Sequence, residues 1–583
     1  MKKGIKKAFP FLLAAITVVL GLMPVGIYFL AKRLDREKPT QFEEGYYTYS
    51  VENSKATITG FDKSISGEVA IPDTLGRYPV TSIDGFVFYG CTGLTSITIP
   101  DSVTSIGWFA FSGCTGLTSI TISDSVTSIG DSAFSGCTGL TRLTVSSGNK
   151  VYHSKNNCII KTNEKELVVG CKTGIIPSDG SVTSIGDSAF NGCTGLTSIT
   201  IPDSVTSIGW GAFSDCTGLT SITIPDSVTY IGSGTFEGCE KLADVTLPKN
   251  IESIDYELFS GCLSLVSVKI PNGVTSIGES AFEGCTRLKS VTVPDSVTSI
   301  GESAFKKTAY YRDNDNWVNN VLYIENYLIK AKKSLSGTYK IKDGTKIVAA
   351  DAFHGCGELT SVSFPDSVIN IGDSAFYGCT ALTSITIPDS VTSIGDSAFE
   401  ECSELARISL PDSVTNICDS SFFGTAYFEN RNNWENEVLY IGNHLIQAKH
   451  RSLSGAYEIK DGTKTVASSA FYNCTGLTSI TFPDSVTSIG VSAFSGCTEL
   501  TSVTIPEGIE SIGSCAFYGC VKLKEVTLPS SVKNIGECAL GYYYSGGDVY
   551  IKLDNFTIYG YTGTAAETYA AETGCDFVAV DEK

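Results

Sequence analysis

Residues 114–136 read CTGLTSITISDSVTSIGDSAFSG, and nearly the same words follow Cys91, Cys193, Cys216 and Cys379. The repeat cysteines keep a 23-residue beat in four ladders: Cys91, Cys114, Cys137; Cys193, Cys216, Cys239, Cys262, Cys285; Cys356, Cys379, Cys402; and Cys474, Cys497, Cys520. A fixed period of this size means a solenoid. A unit this small cannot bury a core alone and must stack on copies of itself.

The apolar positions of one coil are Leu117, Ile120, Ile122, Val126, Ile129, Ala133 and Phe134, with Cys114 as a small hydrophobe. Ile120 and Ile122 alternate with Ser119 and Thr121, which reads as a short half-buried strand. Val-Thr-Ser-Ile-Gly is a second, weaker extended segment. Asp124 and its equivalents sit in a turn between the two, often after proline, as at Pro100-Asp101, Pro202-Asp203 and Pro388-Asp389. Gly130 is expected to allow a sharp bend, and Asp131 or Ser132 to cap a single helical turn carrying Ala133 and Phe134. Stacking aligns Leu, Ile, Phe and Cys into interior ladders, with Phe134 between equivalent rings above and below. Roughly 18 coils at about 4.8 Å would give a body about 85 Å long.

This spacing of Leu, Ile, Pro, Ile-Gly, Ala-Phe and Cys resembles the BspA-type leucine-rich repeat family over about residues 46–575. The resemblance implies an α/β repeat: a right-handed leucine-rich-repeat solenoid. Its Leu-x-x-Ile-x-Ile strands would form one long parallel sheet, with short helical turns on the other face. It also implies a bacterial surface protein with a role in adhesion. The motif specifies the fold and not the partner.

Residues 8–31 are 24 consecutive uncharged, mostly apolar positions, long enough to span a bilayer core. Phe29-Leu30-Ala31 is a poor cleavage site, so the expected element is an uncleaved transmembrane signal-anchor and not a removed signal peptide. Both flanks are basic (Lys2, Lys3, Lys6, Lys7; Lys32, Arg33, Arg36, Lys38), so charge leaves orientation open. A short tail inside and a large domain outside is the simplest insertion. The expected order is a cytoplasmic tail at 1–7, the anchor at 8–31, a linker at 32–45 and an N-terminal cap at 46–85. The solenoid follows at 86–540 and a C-terminal cap at 541–583, with a short helix from about Thr564.

Three islands break the period, near 146–180, 308–346 and 425–464. The last two are copies. Trp317 matches Trp434, and VLYIENYLIK from Val321 matches VLYIGNHLIQ from Val438. Each reads as a hairpin turning at Glu325-Asn326 or Gly442-Asn443, followed by a return strand. The tips are expected to lie outside the core.

Ladder cysteines share one interior register, so their Cβ vectors run parallel and cannot converge on a disulfide or a metal. They read as buried thiols; Cys158 with Cys171 is the pair to test for a bridge. The net charge is −20, with acids in two rows. One is the turn row, as at Asp124, Asp226, Asp295 and Asp412; the other includes Asp131, Asp187, Glu279, Glu302, Asp373, Asp396 and Asp419. These rows could collect calcium, or serve as turns, caps and solubilising groups. A negative surface excludes nucleic acid as a partner. The four histidines have no metal spacing, and the hydrolase-like Gly-Asp-Ser at 130–132 recurs too often to be catalytic. No catalytic residue, cofactor or metal is expected, and the chain is read as no enzyme.

Two surfaces could bind. One is the outward strand face, with hydroxyls such as Thr118, Ser119 and Thr121 and departures from consensus at Arg142, Asp244, Lys269, Lys289, Arg407, Lys524 and Glu525, of which Arg142, Lys269, Lys289 and Arg407 are the candidate ligand contacts. The other is the island aromatics Trp317, Tyr323, Tyr327, Trp434 and Tyr440, beside lysines such as Lys330, Lys332, Lys342, Lys449 and Lys460 that read as a solvated hairpin face. The expected molecule is a monomer in the cell membrane, single-pass, with its repeats outside. It would bind a protein or glycan ligand on host or neighbouring cells. The alternative is a structural spacer or coat protein with no specific ligand.

Overall fold

The computed structural model describes residues 40–450, 452–544 and 550–580. The expected tail, anchor and most of the linker lie outside them. Among the described residues no helix is long and apolar enough to cross a membrane. The chain divides into two compact units, one ending at Asn163 and one starting at Glu164. It winds through about 22 turns, more than the roughly 18 coils legible as repeats, because caps and islands contribute rungs of their own.

In the first unit, strand Tyr47–Glu52 pairs antiparallel with Lys55–Phe61, and the latter runs parallel to Tyr78–Ile83. From there the Ser-Ile segments pair in register, Ser82 with Ser105 and Ser105 with Ser128. The opening cap is therefore the first rung of the stack and covers its open edge. A second ladder joins Gly67–Ala70, Leu94–Thr98, Ser119–Ile122 and Arg142–Val145.

The second unit corrects the expectation of one long sheet of leucine strands. There those strands pair mostly in twos, as in Ser221–Thr223 with Asp244–Thr246 and Ser384–Thr386 with Arg407–Ser409. The Ser-Ile segment, read as the weaker one, carries the longer ladders: Ile347–Val348, Asn370–Ile371, Ser393–Ile394 and Asn416–Ile417 pair in succession. Threonine hydroxyls tie coils on both sides: Thr220 Oγ1 donates to Thr197 O and Thr206 Oγ1 to Thr183 O, both at 3.2 Å.

The third side of the coil is a chain of turns, not the expected helical turn. Ser135 N–H bonds to Ser132 O at 3.1 Å and Cys137 N–H to Phe134 O at 3.2 Å. Ser132 has φ +56°, a left-handed value that no helix can contain, and Ser374, Ser397 and Ser420 repeat it. Neighbouring coils are tied here as well, as by Phe376 N–H to Ala398 O at 2.7 Å.

The glycine after Ser-Ile serves close approach, not a bend. A Cβ on Gly130 would lie 2.5 Å from Trp108 N, and one on Gly513 would lie 2.5 Å from Val491 N. Coils meet backbone to backbone at this corner. The acid that follows is a fastener. Asp373 Oδ1 accepts from Asp396 N–H at 2.8 Å, and Asp396 Oδ1 from Asp419 N–H at 2.9 Å. Each carboxylate thus satisfies a backbone donor one coil away.

Inside, the phenylalanines stack with nearly parallel rings. Phe353, Phe376, Phe399 and Phe422 follow one another at 4.8, 5.1 and 5.5 Å. Phe134 differs from the expectation: it stacks on Phe111 at 5.3 Å and ends its run, because the first island follows. The cysteines are more than small hydrophobes. Cys114 Sγ donates to Phe88 O at 3.1 Å, Cys239 Sγ to Phe213 O at 3.2 Å and Cys402 Sγ to Phe376 O at 3.1 Å. A thiol fits the space of one small apolar group and still supplies a donor to a buried carbonyl. Burial pushes the Cys239, Cys285 and Cys520 thiols up to about 12, so they stay protonated. Cys158 and Cys171 are both buried, with Cys158 Sγ 3.8 Å from Asn156 O and Cys171 Sγ 3.3 Å from Thr173 Oγ1.

The closing cap carries helix Ala565–Thr573, which follows Thr564 and stops at Gly574 with φ +68°, and then strand Asp576–Ala579, parallel to Thr557–Gly560. Tyr569 on it exchanges bonds with both backbone groups of Leu540, each at 3.0 Å.

Candidate functional site

The second and third islands are built alike. Thr308 caps the turn Ala309–Arg312 by accepting from Tyr311 N–H at 3.0 Å, and Thr425 does the same for Phe428 at 3.1 Å. These turns aim the next ring. Trp317 Nε1 donates to Tyr311 O and Trp434 Nε1 to Phe428 O, both at 2.7 Å. The Trp317 ring meets the Tyr311 edge at 5.2 Å, and Lys332 Nζ covers it at 5.0 Å. Trp434 has Phe428 at 5.2 Å and Lys449 at 5.0 Å.

The hairpins are part of the stack. Tyr327–Ala331 pairs antiparallel with Val321–Ile324 and parallel with Ile347–Val348, so it is a rung of the Ser-Ile ladder. Lys346 N–H bonds to Asn326 O at 2.8 Å and Lys464 N–H to Asn443 O at 2.7 Å. The tip residues Glu325, Asn326, Gly442 and Asn443 are exposed and outside the core, as expected, while these backbone bonds dock each hairpin on the next rung.

This placement sorts the aromatic candidates. Tyr327 is 1% exposed and donates to Pro294 O at 2.7 Å; His444, at the same place in the copy, contacts Pro411 O at 3.0 Å. Tyr440 is 6% exposed, with its hydroxyl 3.2 Å from that of Tyr457. Both are core residues and cannot meet a ligand. Trp317, Tyr323 and Trp434 are half-buried, and Tyr323 shares a 3.0 Å contact with the Tyr339 hydroxyl. Burial pushes Tyr327 up to about 12, which keeps it a neutral donor. The island lysines are largely engaged: Lys330 with Asp351 at 2.7 Å, Lys449 with Glu437 at 2.8 Å and Lys460 with Glu435 at 3.1 Å.

The strand face differs. Arg142, Lys269, Lys289 and Arg407 are exposed, and among the described residues none of them forms an ion pair. Lys269 stands opposite Thr292 and Arg407 opposite Ser384. Many threonine protons beside them are spent inside the stack. Thr118 Oγ1 donates to Thr95 O and Thr141 Oγ1 to Thr118 O, both at 3.2 Å. Such hydroxyls offer lone pairs outward, not donors. Sequence reading counted them as free hydroxyls. It also passed over Phe423 and Tyr472, two exposed rings beside the third island. A residue-by-residue comparison of the copies would have found them. Among the described residues no group of three or more His, Cys, Asp or Glu is placed to hold a metal.

Solved structures with this repeat include a leucine-rich repeat protein from Bacteroides ovatus, 26% identical, covering 85% of this chain and 99% of that one with a TM-score of 0.29. A leucine-rich cell surface protein from Faecalibacterium prausnitzii is 25% identical, covering 88% and 96% with a TM-score of 0.26. The leucine-rich repeat protein of T. pallidum is 27% identical over 43% of this chain and 91% of its own, at a TM-score of 0.21. No curated protein matches the chain. The overall superpositions are low, so the assignment rests on the repeat itself. The model of the BspA type leucine rich repeat region matches residues 61–179, 183–312, 252–340, 322–451 and 456–562. With that match running over the first-unit coils, both copied islands and the start of the closing cap, the chain belongs to the BspA-type leucine-rich repeat family.

Proposed function

We propose that this chain is a single-pass, membrane-anchored protein of the bacterial cell surface that binds a protein or glycan through the outward side of its leucine strands. The observation that carries the reading is the set of exposed, unpaired cations Arg142, Lys269, Lys289 and Arg407 in a chain of net charge −20. Lysines in the turns pair with nearby acids, as Lys249 does with Asp226 at 2.6 Å and Lys533 with Glu510 at 2.9 Å. Cations left over on strands whose threonines present acceptors suit a partner with acidic groups and hydroxyls.

The test is capture of host matrix proteins and glycans by the immobilised whole chain. Substituting Arg142, Lys269, Lys289 and Arg407 together by serine is expected to weaken capture at least about tenfold and to flatten its salt dependence. The melting midpoint should hold, since the four side chains are exposed. Equal capture by parent and variant would sink the strand-face reading and leave the spacer reading. That alternative draws support from the many hydroxyls already committed to stacking.

Topology is tested on cells. Protease shaving of intact cells is expected to release the repeat mass, while the uncut protein fractionates with the membrane. A soluble form starting near Lys32 would place the alternative, a cleaved signal peptide, ahead of the anchor.

A further inference from the structure

The duplication inside this chain supplies its own comparison. Beside the third island lies an open groove of about 530 Å³, lined by Glu400, Asp419, Phe423, Gln447, His450 and Tyr472 together with serine hydroxyls. Phe423 and Tyr472 are each 43% exposed. The His450 ring stands edge-on to Tyr472 at 6.5 Å and 90°, and its Nε2 lies 3.3 Å from Gln447 Nε2. The Glu400 carboxylate takes the Ser397 hydroxyl, and Asp419 Oδ1 takes the Ser420 N–H at 2.8 Å. Each carboxylate keeps further acceptor capacity.

The same place in the second island is much narrower. Glu283, Lys306, Lys330, Asp351 and His354 stand where Glu400, Phe423, Gln447, Ser469 and Tyr472 stand in the copy. There the charges satisfy one another. Lys330 Nζ is 2.7 Å from Asp351 Oδ2, Lys306 Nζ is 3.9 Å from Glu283 Oε1, and Lys307 Nζ is 2.9 Å from the same oxygen. His354 Nδ1 lies 2.6 Å from Asp351 Oδ1, off-axis for a hydrogen bond, and its ring stacks on Tyr377 at 5.0 Å. What remains there is a cavity of about 90 Å³. In the copy all three lysines are gone, the Glu400 and Asp419 carboxylates stay, and Phe423 and Tyr472 stand in place of Lys306 and His354.

We infer that the groove beside the third island, between Phe423 and Tyr472, is a binding site for a neutral sugar unit of a glycan chain. The inference rests on the surface-binding reading above and names the ligand class of one place on it. The volume falls within the roughly 300–1,000 Å³ typical of small-molecule sites. Aromatic faces carry negative charge and attract the polarised C–H face of a pyranose ring. Carboxylates, the Gln447 amide and the serines take its hydroxyls. An acidic ligand would meet Glu400 and Asp419 with no lysine to offset them. A purely apolar ligand would bury those groups unpaired. A cationic peptide would use the carboxylates and the rings but not the neutral Gln447 amide and serine hydroxyls that make up much of the wall.

The experiment is calorimetric titration of the full chain in detergent with cellohexaose, chitohexaose and mannohexaose, and with a lysine-rich peptide. At least one hexasaccharide is expected to bind. Phe423→Ala and Tyr472→Ala should each weaken it about tenfold, the size of one well-placed ring contact. Phe423→Lys with Tyr472→His, which restores the residues of the second island, should abolish binding with the melting transition retained. No binding by any hexasaccharide, equal binding by the double variant, or binding of the peptide alone each overturns the inference. Capture of host material by the strand face is measured separately, so its persistence in the double variant leaves the surface-binding reading standing while this site falls.

Discussion

Phe376→Ala is expected to destabilise its part of the stack by about 3–5 kcal/mol. The ring is fully buried and stacks on both sides, on Phe353 at 4.8 Å and on Phe399 at 5.1 Å. Deleting it removes two stacking contacts and leaves a void that neighbouring coils cannot fill, because they are tied backbone to backbone next to the gap, Phe353 N–H to Ala375 O at 2.6 Å and Phe376 N–H to Ala398 O at 2.7 Å. In a repeat array such a loss spreads to the nearest interfaces and fades beyond them. Hydrogen exchange should therefore show amides near Phe353 to Phe422 losing protection, while coils near Phe213 to Phe282 keep theirs. Uniform loss across the chain would contradict nearest-neighbour coupling, and no loss would contradict the ring stack. Phe134→Ala should cost less, since that ring has one stacking partner and is 6% exposed.

Gly513→Val is expected to cost about 1–3 kcal/mol by forcing two coils apart. Its Cβ would fall 2.5 Å from Val491 N and 2.6 Å from Gly490 C, and both are backbone atoms that cannot rotate away. The Gly513 N–H to Ile489 O bond at 2.8 Å would stretch with the displacement. Asp255 and Cys418 hold the equivalent corner in two other coils, so the stack yields locally without unfolding. The melting midpoint of the variant, compared with that of Ser514→Val one position on, checks the reason. An equal or larger loss for the Ser514 variant would show that close approach at the glycine is not the constraint.

The period, the inward set and the two copied islands are all legible in the chain, because stacking demands identity of side chains at a fixed interval. Leu117, Ile120, Phe111 and Cys114 are buried where the pattern places them. The helix after Thr564 was legible too, from its alanines and its terminal glycine. What the pattern cannot carry is the partner of each group one coil away. Thr118 reads as an exposed hydroxyl, yet its proton goes to Thr95 O; Cys114 reads as a small hydrophobe, yet it donates to Phe88 O. Tyr327 reads as a hairpin aromatic, yet the hairpin strand is itself a rung and the ring is core. The same holds for Phe423 and Tyr472, which are ordinary departures from consensus until folding brings them to one groove. Sequence periodicity reports which face a residue takes, since burial depends on the residue's own side chain. Hydrogen-bond partners and grooves are set by residues some 23 positions away or across an island. Only the stacked backbone decides what those residues meet.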